Sequence, residues 1–404
     1  MAQIFLDMLL TFIFWFANFS GDTRGNLLNI HSKQRNPLMK LASFVLVVLF
    51  CLWSLTCKKE PPVVPPPPPP SGPDTTSHNF TFTQYDLGGN AGSSGFKDAA
   101  IVSDTLAYAV GEIYTTDSTG RPDPQAYSLA VWNGSNWSLQ RLYFQENGNN
   151  ELLVPIRGII TFSTADIWFA AGSIFHWDGT SSVTQMSLSR LTLPESSATV
   201  EKMWGSSSGS IYGVGNTGTI VHYSNGVWTR MQSGTNYDLT DVWGSPDGSI
   251  VWACGWRNYS VDTAQGILLR YDGTNWTTVW KRGANTKPPY GDAISSVWGQ
   301  THLFTSSNFG VYIQSMSGID TAVQSLSLNH FPYRIRGSAE NNVAVVGDFG
   351  MIWHYNQKSW KQINVTSLDQ PLYSVAVSTN MIIAVGSDYS IGLGAALIYV
   401  GVRE

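Results

Sequence analysis

The sequence predicts an all-β fold built from a repeated unit of short strands, and three observations point to it. Aromatic residues and charged residues each make up 13% of the 404-residue chain, which also has 38 glycines. This composition suits strands joined by many turns. No segment after residue 60 shows sustained helical periodicity. The line "DVWGSPDGSIVWACG" at 241–255 nearly repeats "KMWGSSSGSIYGVG" at 202–215.

One landmark, a Trp-Gly or Arg-Gly pair, recurs at regular distances. The pairs are Arg157-Gly158, Trp204-Gly205, Trp243-Gly244, Trp298-Gly299 and Arg336-Gly337, at spacings of 47, 39, 55 and 38 residues. Each pair belongs to a unit of four short strands. Four strands per repeat of about 40–50 residues are typical of β-propellers. The sequence therefore predicts a seven-bladed β-propeller of four-stranded antiparallel blades.

The seventh unit has three strands and lacks a fourth. We place the propeller at 80–404 and its units near 96–142, 151–191, 200–235, 239–282, 293–328, 333–367 and 373–404. Upstream, "FTFTQYDL" at 80–87 alternates apolar and polar residues, as an outer strand does. We expect it to pair with the C-terminal "ALIYVG" and close the ring, because closure hides sheet edges that invite aggregation.

The repeat segments "VWGS", "GTIVHY" and "YDGTNW" resemble those of a family of bacterial secreted propellers, often lipoproteins, from Bacteroidetes and similar bacteria. The resemblance covers about 96–404 and implies a fold more than an activity. Some relatives in that family carry enzyme labels such as glycosyltransferase. This sequence carries no catalytic motif that supports one.

The N-terminal part predicts export. Residues 39–57, "MKLASFVLVVLFCLWSLTC", have an apolar run too short for a transmembrane helix but of signal-peptide length. The cysteine after it resembles a bacterial lipoprotein signal, which implies cleavage before Cys57 and its lipidation. Ser54 and Thr56 stand where that family usually has Leu and a small residue, and the alternative is an uncleaved anchor. We interpret residues 1–38 as a mis-assigned upstream start.

A proline-rich segment follows Cys57 and ends near residue 79. Its residues 61–70 would span about 30 Å as an extended left-handed helix of about 3.1 Å per residue. Together with a lipid on Cys57, this predicts a stalk that holds the propeller away from a membrane. We expect a location in the bacterial cell envelope, as an outer-membrane lipoprotein on the periplasmic side or at the cell surface.

Long insertions give the candidate binding residues. In a propeller, the links between second and third strands and the links between blades lie on one face. The insertions 112–127, 256–265 and 387–394 and the long inter-blade link 282–292 belong there. Function on such scaffolds usually resides in long loops. Aromatic and Arg residues often anchor interfaces. The candidates are Tyr114, Arg121, Trp256, Arg257, Tyr259, Tyr290 and Tyr389. The alternative is that these loops are only variable and solvated.

The Trp and Arg residues of the landmark pairs are expected to have structural roles. We expect the repeated Trp residues to pack between blades rather than to hold a ligand. Arg157 and Arg336 replace Trp, and we expect them to line the channel because an unpaired Arg is costly to bury.

Other residue types suggest no metal and no cofactor. His176, His222 and His354 share one position in the third strand of three blades, and no histidines have zinc-ligand spacing. Cys254 fits a small buried residue.

These observations favour a non-catalytic, envelope-anchored module that binds a protein or a glycan through its long-loop face. The net charge is −5 and no basic stripe is present, so nucleic acid is not an expected partner. We expect a monomer. One alternative is a carbohydrate-active enzyme with a pocket over the channel, which requires two carboxylates, one with a raised pKa. Another is a structural lipoprotein without a specific ligand.

Overall fold

The computed structural model describes residues 76–189, 193, 197–257, 265–283, 290–308, 310–318, 320–363 and 369–404. The predicted signal, Cys57, the stalk up to residue 75 and Tyr259 lie outside the described residues. Among these described residues there are two short 3-10 helices, Asn216–Gly218 and Asp348–Gly350. Within the described ranges, no helix has the length and apolar character needed to cross a membrane.

The fold is a ring of seven sheets, which confirms the predicted all-β, seven-bladed β-propeller. Blades are numbered in chain order and strands run outward from the channel. Blades 1 to 3 consist of β2 (Gly95–Ser103), β3 (Leu106–Ile113), β4 (Tyr127–Trp132) and β5 (Trp137–Gln140); β8 (Gly158–Ser163), β9 (Asp166–Ala170), β10 (Ile174–Trp177) and β11 (Val183–Leu188); and β12 (Lys202–Ser207), β13 (Ser210–Val214), β14 (Ile220–Ser224) and β15 (Val227–Met231).

The remaining blades follow the same order. They consist of β16 (Asp238–Gly244), β17 (Val251–Arg257), β18 (Gln265–Tyr271) and β19 (Trp276–Lys281); β20 (Ile294–Gly299), β21 (His302–Ser307), β22 (Gly310–Ser315) and β23 (Val323–Ser327); β24 (Pro332–Ala339), β25 (Asn342–Gly347), β26 (Ile352–Tyr355) and β27 (Trp360–Ile363); and β28 (Leu372–Val377), β29 (Met381–Asp388), β30 (Ala395–Arg403) and β1 (Phe80–Leu87).

Blade 7 is built from two distant segments of the chain. β1 runs antiparallel to β30, from Phe80 opposite Arg403 to Leu87 opposite Ala396, which is the pairing that the alternating pattern predicts. The inner strands contact one another in a cycle, from β2 through β8, β12, β16, β20, β24 and β28 back to β2. Each blade therefore has a neighbour on both sides, and the inner strands surround the channel.

Two features differ from the simple repeat. The link between blades 1 and 2 forms a hairpin, β6 (Tyr143–Glu146) and β7 (Asn149–Leu152), and β6 pairs in parallel with β11. The blade-2 sheet therefore has six strands. Blade 5 keeps the Trp298-Gly299 pair but lacks the Val-Gly ending of a second strand such as β25 and the Trp that opens a fourth strand such as β27. It still has four strands, and β21 is buried along nearly its whole length like the other second strands.

The Trp-Gly landmark is a packing unit between blades. Trp204 of blade 3 lies against Gly244 of blade 4, and a Cβ on that glycine would stand 2.4 Å from the Trp204 ring. Trp298 of blade 5 meets Gly337 of blade 6 in the same way, at 2.8 Å. The two Trp side chains are 6% and 1% exposed. The glycine therefore makes room for the neighbouring blade's Trp, and the predicted packing role is confirmed.

Candidate functional site

Each inner strand carries a β-bulge near its first residue. This end of the strands meets the links between blades and the links between second and third strands, which together form what we term the upper face. In blades 1, 4, 5, 6 and 7, one inner-strand residue at this end has no partner in the pairing with the second strand. In blades 2 and 3, Arg157 and Glu201 occupy the equivalent position, and their backbone nitrogens donate to the second strand. Bulges re-aim side chains. The bulge residues, termed the rim, are Lys97, Arg157, Glu201, Thr240, Ser295, Tyr333 and Tyr373.

Neighbouring rim residues contact each other around the channel mouth. Lys97 Nζ is 4.5 Å from the centroid of the Tyr373 ring, and the Tyr333 and Tyr373 ring centroids are 5.4 Å apart. Arg157 Nη1 lies 3.0 Å from Glu201 Oε2. The rim is therefore aromatic at blades 6 and 7 and carries two basic residues at blades 1 and 2.

One residue further along each inner strand, a second ring is mostly buried and polar. It comprises Asp98, Gly158, Lys202, Asp241, Ser296, Arg334 and Ser374. Lys202 reaches from blade 3 to blade 1, where its Nζ lies 3.0 Å from Asp98 Oδ2. The same oxygen accepts a hydrogen bond from the Ile159 backbone at 3.3 Å. Asp98 Oδ1 accepts one from the Ser374 hydroxyl at 2.6 Å. One carboxylate thus links blades 7, 1, 2 and 3.

Asp241 plays the same part across the channel. Arg336 donates to it from Nη1 at 2.9 Å and from Nη2 at 2.7 Å. Arg334 Nη1 lies 2.6 Å from Asp241 Oδ1. The Ser296 hydroxyl and the Val297 backbone nitrogen also donate to this carboxylate. Asp241 is completely buried, so a single acid connects blades 4, 5 and 6.

Positive charge dominates the electrostatics of this buried ring. Burial alone would raise the pKa of Asp98, but chiefly Lys202 and Arg334 hold it below its ordinary value. Burial is likewise outweighed at Asp241, whose pKa is held low by Arg334 and Arg336. Burial lowers the pKa of Lys202 to about 8, with Asp98 opposing the change. Both acids are therefore ionised and paired, whereas a glycosidase general acid needs a raised pKa.

An aromatic arc crosses the upper face from blade 4 to blade 7. It consists of Trp256, Phe331, Tyr333, Tyr373 and Tyr389. The first three rings follow one another at centroid distances of 5.5 and 5.4 Å, both edge to face, a favourable geometry for aromatic pairs. At the other end, the hydroxyl oxygens of Tyr373 and Tyr389 are 3.1 Å apart. The arc thus joins the rim tyrosines to residues of the long links.

Large apolar side chains are exposed beside the arc. Tyr389 is 53% exposed, and Ile391 and Leu393 in the same link are 38% and 64% exposed. Phe349, in the corresponding link of blade 6, is 49% exposed. Apolar residues grouped on one face mark an interaction surface better than isolated ones do.

The link from blade 7 to blade 1 ties two of the predicted insertions together. The Leu393 backbone nitrogen donates to the Gly89 carbonyl at 3.0 Å, and that of Ser94 to the Gly394 carbonyl at 2.8 Å. The Ser94 hydroxyl oxygen accepts a hydrogen bond from the Tyr114 backbone at 2.9 Å. The insertions of blades 7 and 1 are therefore adjacent, as their positions in the ring predict.

The structure places only some of the candidate binding residues together. Trp256 and Tyr389 are the two ends of the arc. Arg257 is exposed, but its guanidinium lies over Tyr237, 4.9 Å from the ring centroid, at the boundary of blades 3 and 4.

Two further candidates belong to the blade-1 insertion, and one leaves the face. The Tyr114 hydroxyl donates to Glu112, and Arg121 is exposed. Tyr290 is only 5% exposed, and its hydroxyl donates to Gln314 Oε1 at 2.9 Å. The expectation that it lines the binding face is therefore corrected: its ring packs in the core between blades 4 and 5.

The two candidate channel residues occupy different levels. Arg157 is a rim residue with half of its side chain exposed, at 50%. Arg336 lies deeper, 15% exposed and paired with Asp241. Arg336 does replace the landmark Trp. Arg157 does not replace it, because the residue of blade 2 at the position of the landmark Trp is Ile160. Ile160 pairs with Trp168 in the same way that Trp243 pairs with Trp252 in blade 4.

Sequence reasoning missed Asp98, Lys202, Asp241, Tyr333 and Tyr373. A signal was present for two of them, because Lys202 and Asp241 each stand two residues before a Trp-Gly pair. A charge at a repeated position among buried strand residues predicts a partner on another blade.

The histidines of the third strands contact residues of their own blades, and His354 also contacts His78 and Phe80, which lie just before and at the start of the outer strand of blade 7. His176 Nε2 lies 2.9 Å from Asp166 Oδ1, and the His222 ring stacks on Tyr212 at 4.0 Å. The part of the chain that the structure describes has no group of three or more His, Cys, Asp or Glu residues that could hold a metal ion. Cys254 is buried, as predicted.

Comparison with known proteins identifies the fold. No family model matches the chain, and no curated protein matches it. The WD40 β-propeller domain of Doa1 is similar over 81% of this chain and 97% of that chain, with 13% identity and a TM-score of 0.56. YCF48 bound to D1 peptide is similar over 81% and 99%, with 14% identity and a TM-score of 0.56. At such identities the likeness shows the propeller fold alone.

Proposed function

We propose that this protein is a non-catalytic binding module that holds a protein partner against the upper face of its propeller. The observation that carries the proposal is the aromatic arc, whose members follow one another across the face and end at the exposed Tyr389. Aromatic side chains dominate the energetics of many interfaces because they bury much area at little entropic cost.

Two further observations support a binding role. The acids beneath the rim are paired with cations, so their carboxylates support inter-blade contacts rather than acid–base chemistry. A propeller of similar fold, YCF48, has been solved with a D1 peptide bound, so this architecture is compatible with a peptide ligand. The carbohydrate-active alternative has no comparable observation in its favour.

The proposed location is the bacterial cell envelope. Residues 39–57 resemble a lipoprotein signal, and the proline-rich segment would separate the propeller from the membrane. Metabolic labelling with a fatty acid tests this part. The full chain should incorporate label and the Cys57→Ser variant should not; equal labelling of both would refute lipidation at Cys57.

The binding role is tested by crosslinking the full chain in envelope extract and identifying what co-purifies. Trp256→Ala removes one end of the arc. Val323→Ala is the matched control, because Val323 is 47% exposed on the outer strand of blade 5. A glycan array run in parallel separates the two partner classes.

A protein whose recovery falls at least tenfold with Trp256→Ala and is unchanged with Val323→Ala would support the proposal. Glycan hits without a protein partner would replace it with a lectin-like role, since aromatic faces also stack on sugars. Equal recovery with both variants would remove the arc from the interface.

A further inference from the structure

The rim presents an ammonium group that has no acidic partner. Lys97 is exposed, and its Nζ rests over the Tyr373 ring at 4.5 Å. It forms no ion pair with any residue that the structure describes. The surrounding protein lowers the pKa of Lys97 by removing water, and the positive charge of Arg157 lowers it further, with Tyr389 and Glu112 opposing. An anion bound at this point would favour the charged ammonium and so offset the lowering of its pKa.

The charges beneath the rim do not cancel this cation. Lys202 donates to the backbone carbonyls of Lys97 and Arg157, so a second ammonium lies directly below. On the inner strands, basic residues outnumber acidic ones. With the rim residues that precede the strands included, the basic residues are Lys97, Arg157, Lys202, Arg334 and Arg336, and the acidic ones are Asp98, Glu201, Asp238 and Asp241. The channel mouth is thus locally basic on a chain whose net charge is −5.

The buried guanidinium of Arg334 adds to this excess of positive charge. Arg334 is 4% exposed, and its Nε has no hydrogen-bond acceptor among the described residues. Its ion pair with Asp241 uses a different nitrogen, Nη1. Asp241 also pairs with Arg336, so one carboxylate faces two guanidinium groups.

We propose that the channel mouth binds a carboxylate of the partner, held between the Lys97 ammonium and the Arg157 guanidinium while the aromatic arc receives adjacent apolar side chains. The inference rests on the proposed function and specifies its ligand as an acidic peptide segment. The carboxylate belongs either to an acidic side chain or to a free C-terminus. Charge-assisted hydrogen bonds to a partly desolvated site are the strong ones.

The test uses three pentapeptides and the full chain. Two peptides are capped at both ends and differ only in a central Glu or Gln flanked by Phe and Tyr; the third carries the Gln and a free C-terminus. Binding is measured by isothermal titration with wild type and with Lys97→Met. Lys361→Met, which removes an exposed lysine from outer strand β27, is the matched control.

At least tenfold tighter binding of the Glu peptide than of its Gln twin, lost in Lys97→Met and kept in Lys361→Met, supports a side-chain source. The same pattern of affinities for the peptide with the free C-terminus would show that the bound carboxylate is a C-terminal one. Three results would overturn the inference. They are equal affinities for all three peptides, an affinity that Lys97→Met does not change, and no binding up to about 1 mM, a concentration that corresponds to a binding free energy of about 4 kcal/mol. If Trp256→Ala loses the extract partner while Lys97→Met retains it, only the inference fails and the proposed function stands.

Discussion

Lys202 on blade 3 reaches across blade 2 to Asp98 on blade 1, with 3.0 Å between Nζ and Oδ2 and side-chain exposures of only 11% and 12%. Gly158 of blade 2 permits this approach, because a Cβ there would stand 2.7 Å from the Glu201 carbonyl and 3.4 Å from Lys202 Cα. The pair joins blades that are not neighbours. It therefore supports the ring at the level just below the proposed binding face.

Asp98→Asn should lower the free energy of unfolding by about 3–5 kcal/mol, because it leaves the buried Lys202 charge uncompensated. Urea denaturation of the full chain measures it. Asp117→Asn is the control, since Asp117 lies on the exposed blade-1 insertion, and Asn keeps the Oδ1 that accepts hydrogen bonds from Thr119 and Arg121; this variant should leave stability nearly unchanged. Equal effects of the two variants would show that the inter-blade pair is energetically neutral.

Acid should destabilise the protein partly through Asp98 and Asp241. The pKa of each carboxyl is lower in the folded state, so its contribution is complete above the unfolded value of about 3.9. That contribution is lost as the pH falls through the lower folded pKa. Unfolding free energy measured from pH 6 downward should therefore decline less steeply for Asp98→Asn than for wild type. Parallel curves would contradict the assigned direction.

Gly244→Ala should destabilise the interface of blades 3 and 4 by about 1–3 kcal/mol, because the new methyl group collides with the Trp204 ring. Gly209→Ala is a suitable control: its Cβ would have only the Ser207 hydroxyl oxygen near it, at 3.8 Å. Thermal and urea unfolding should separate the two variants. If Gly244→Ala matches the control, the Trp-Gly pair is not a packing unit.

Tyr290→Phe and Tyr389→Phe should separate folding from binding. Removing the Tyr290 hydroxyl leaves buried Gln314 without that hydrogen bond, which should cost roughly 1–3 kcal/mol and leave partner recovery unchanged. Tyr389→Phe should leave stability unchanged and weaken partner recovery through loss of the Tyr373 contact. The reverse pattern would place the binding surface elsewhere.

The sequence predicts the propeller well because its repeats record local geometry. Trp204 and Gly244 both belong to the repeated Trp-Gly motif, and residues 80–87 alternate between apolar and polar side chains as an outer strand does. It predicts the site less well because the site depends on register. The bulge that aims Tyr333 and Tyr373 at the mouth leaves no residue-type signature, since the rim also holds Lys97 and Ser295. Tyr290 and Tyr389 both lie in long links, and only packing distinguishes the buried ring from the exposed one.

Photo-crosslinking from the upper face tests the central claim most directly. Benzoylphenylalanine replaces Tyr389 in one variant of the full chain and Val323 in another; the two positions are 53% and 47% exposed. Irradiation in envelope extract should attach a protein partner at 389 and not at 323. Crosslinking to the same partner at 323 alone, or equally at both positions, would contradict a binding site on the aromatic arc.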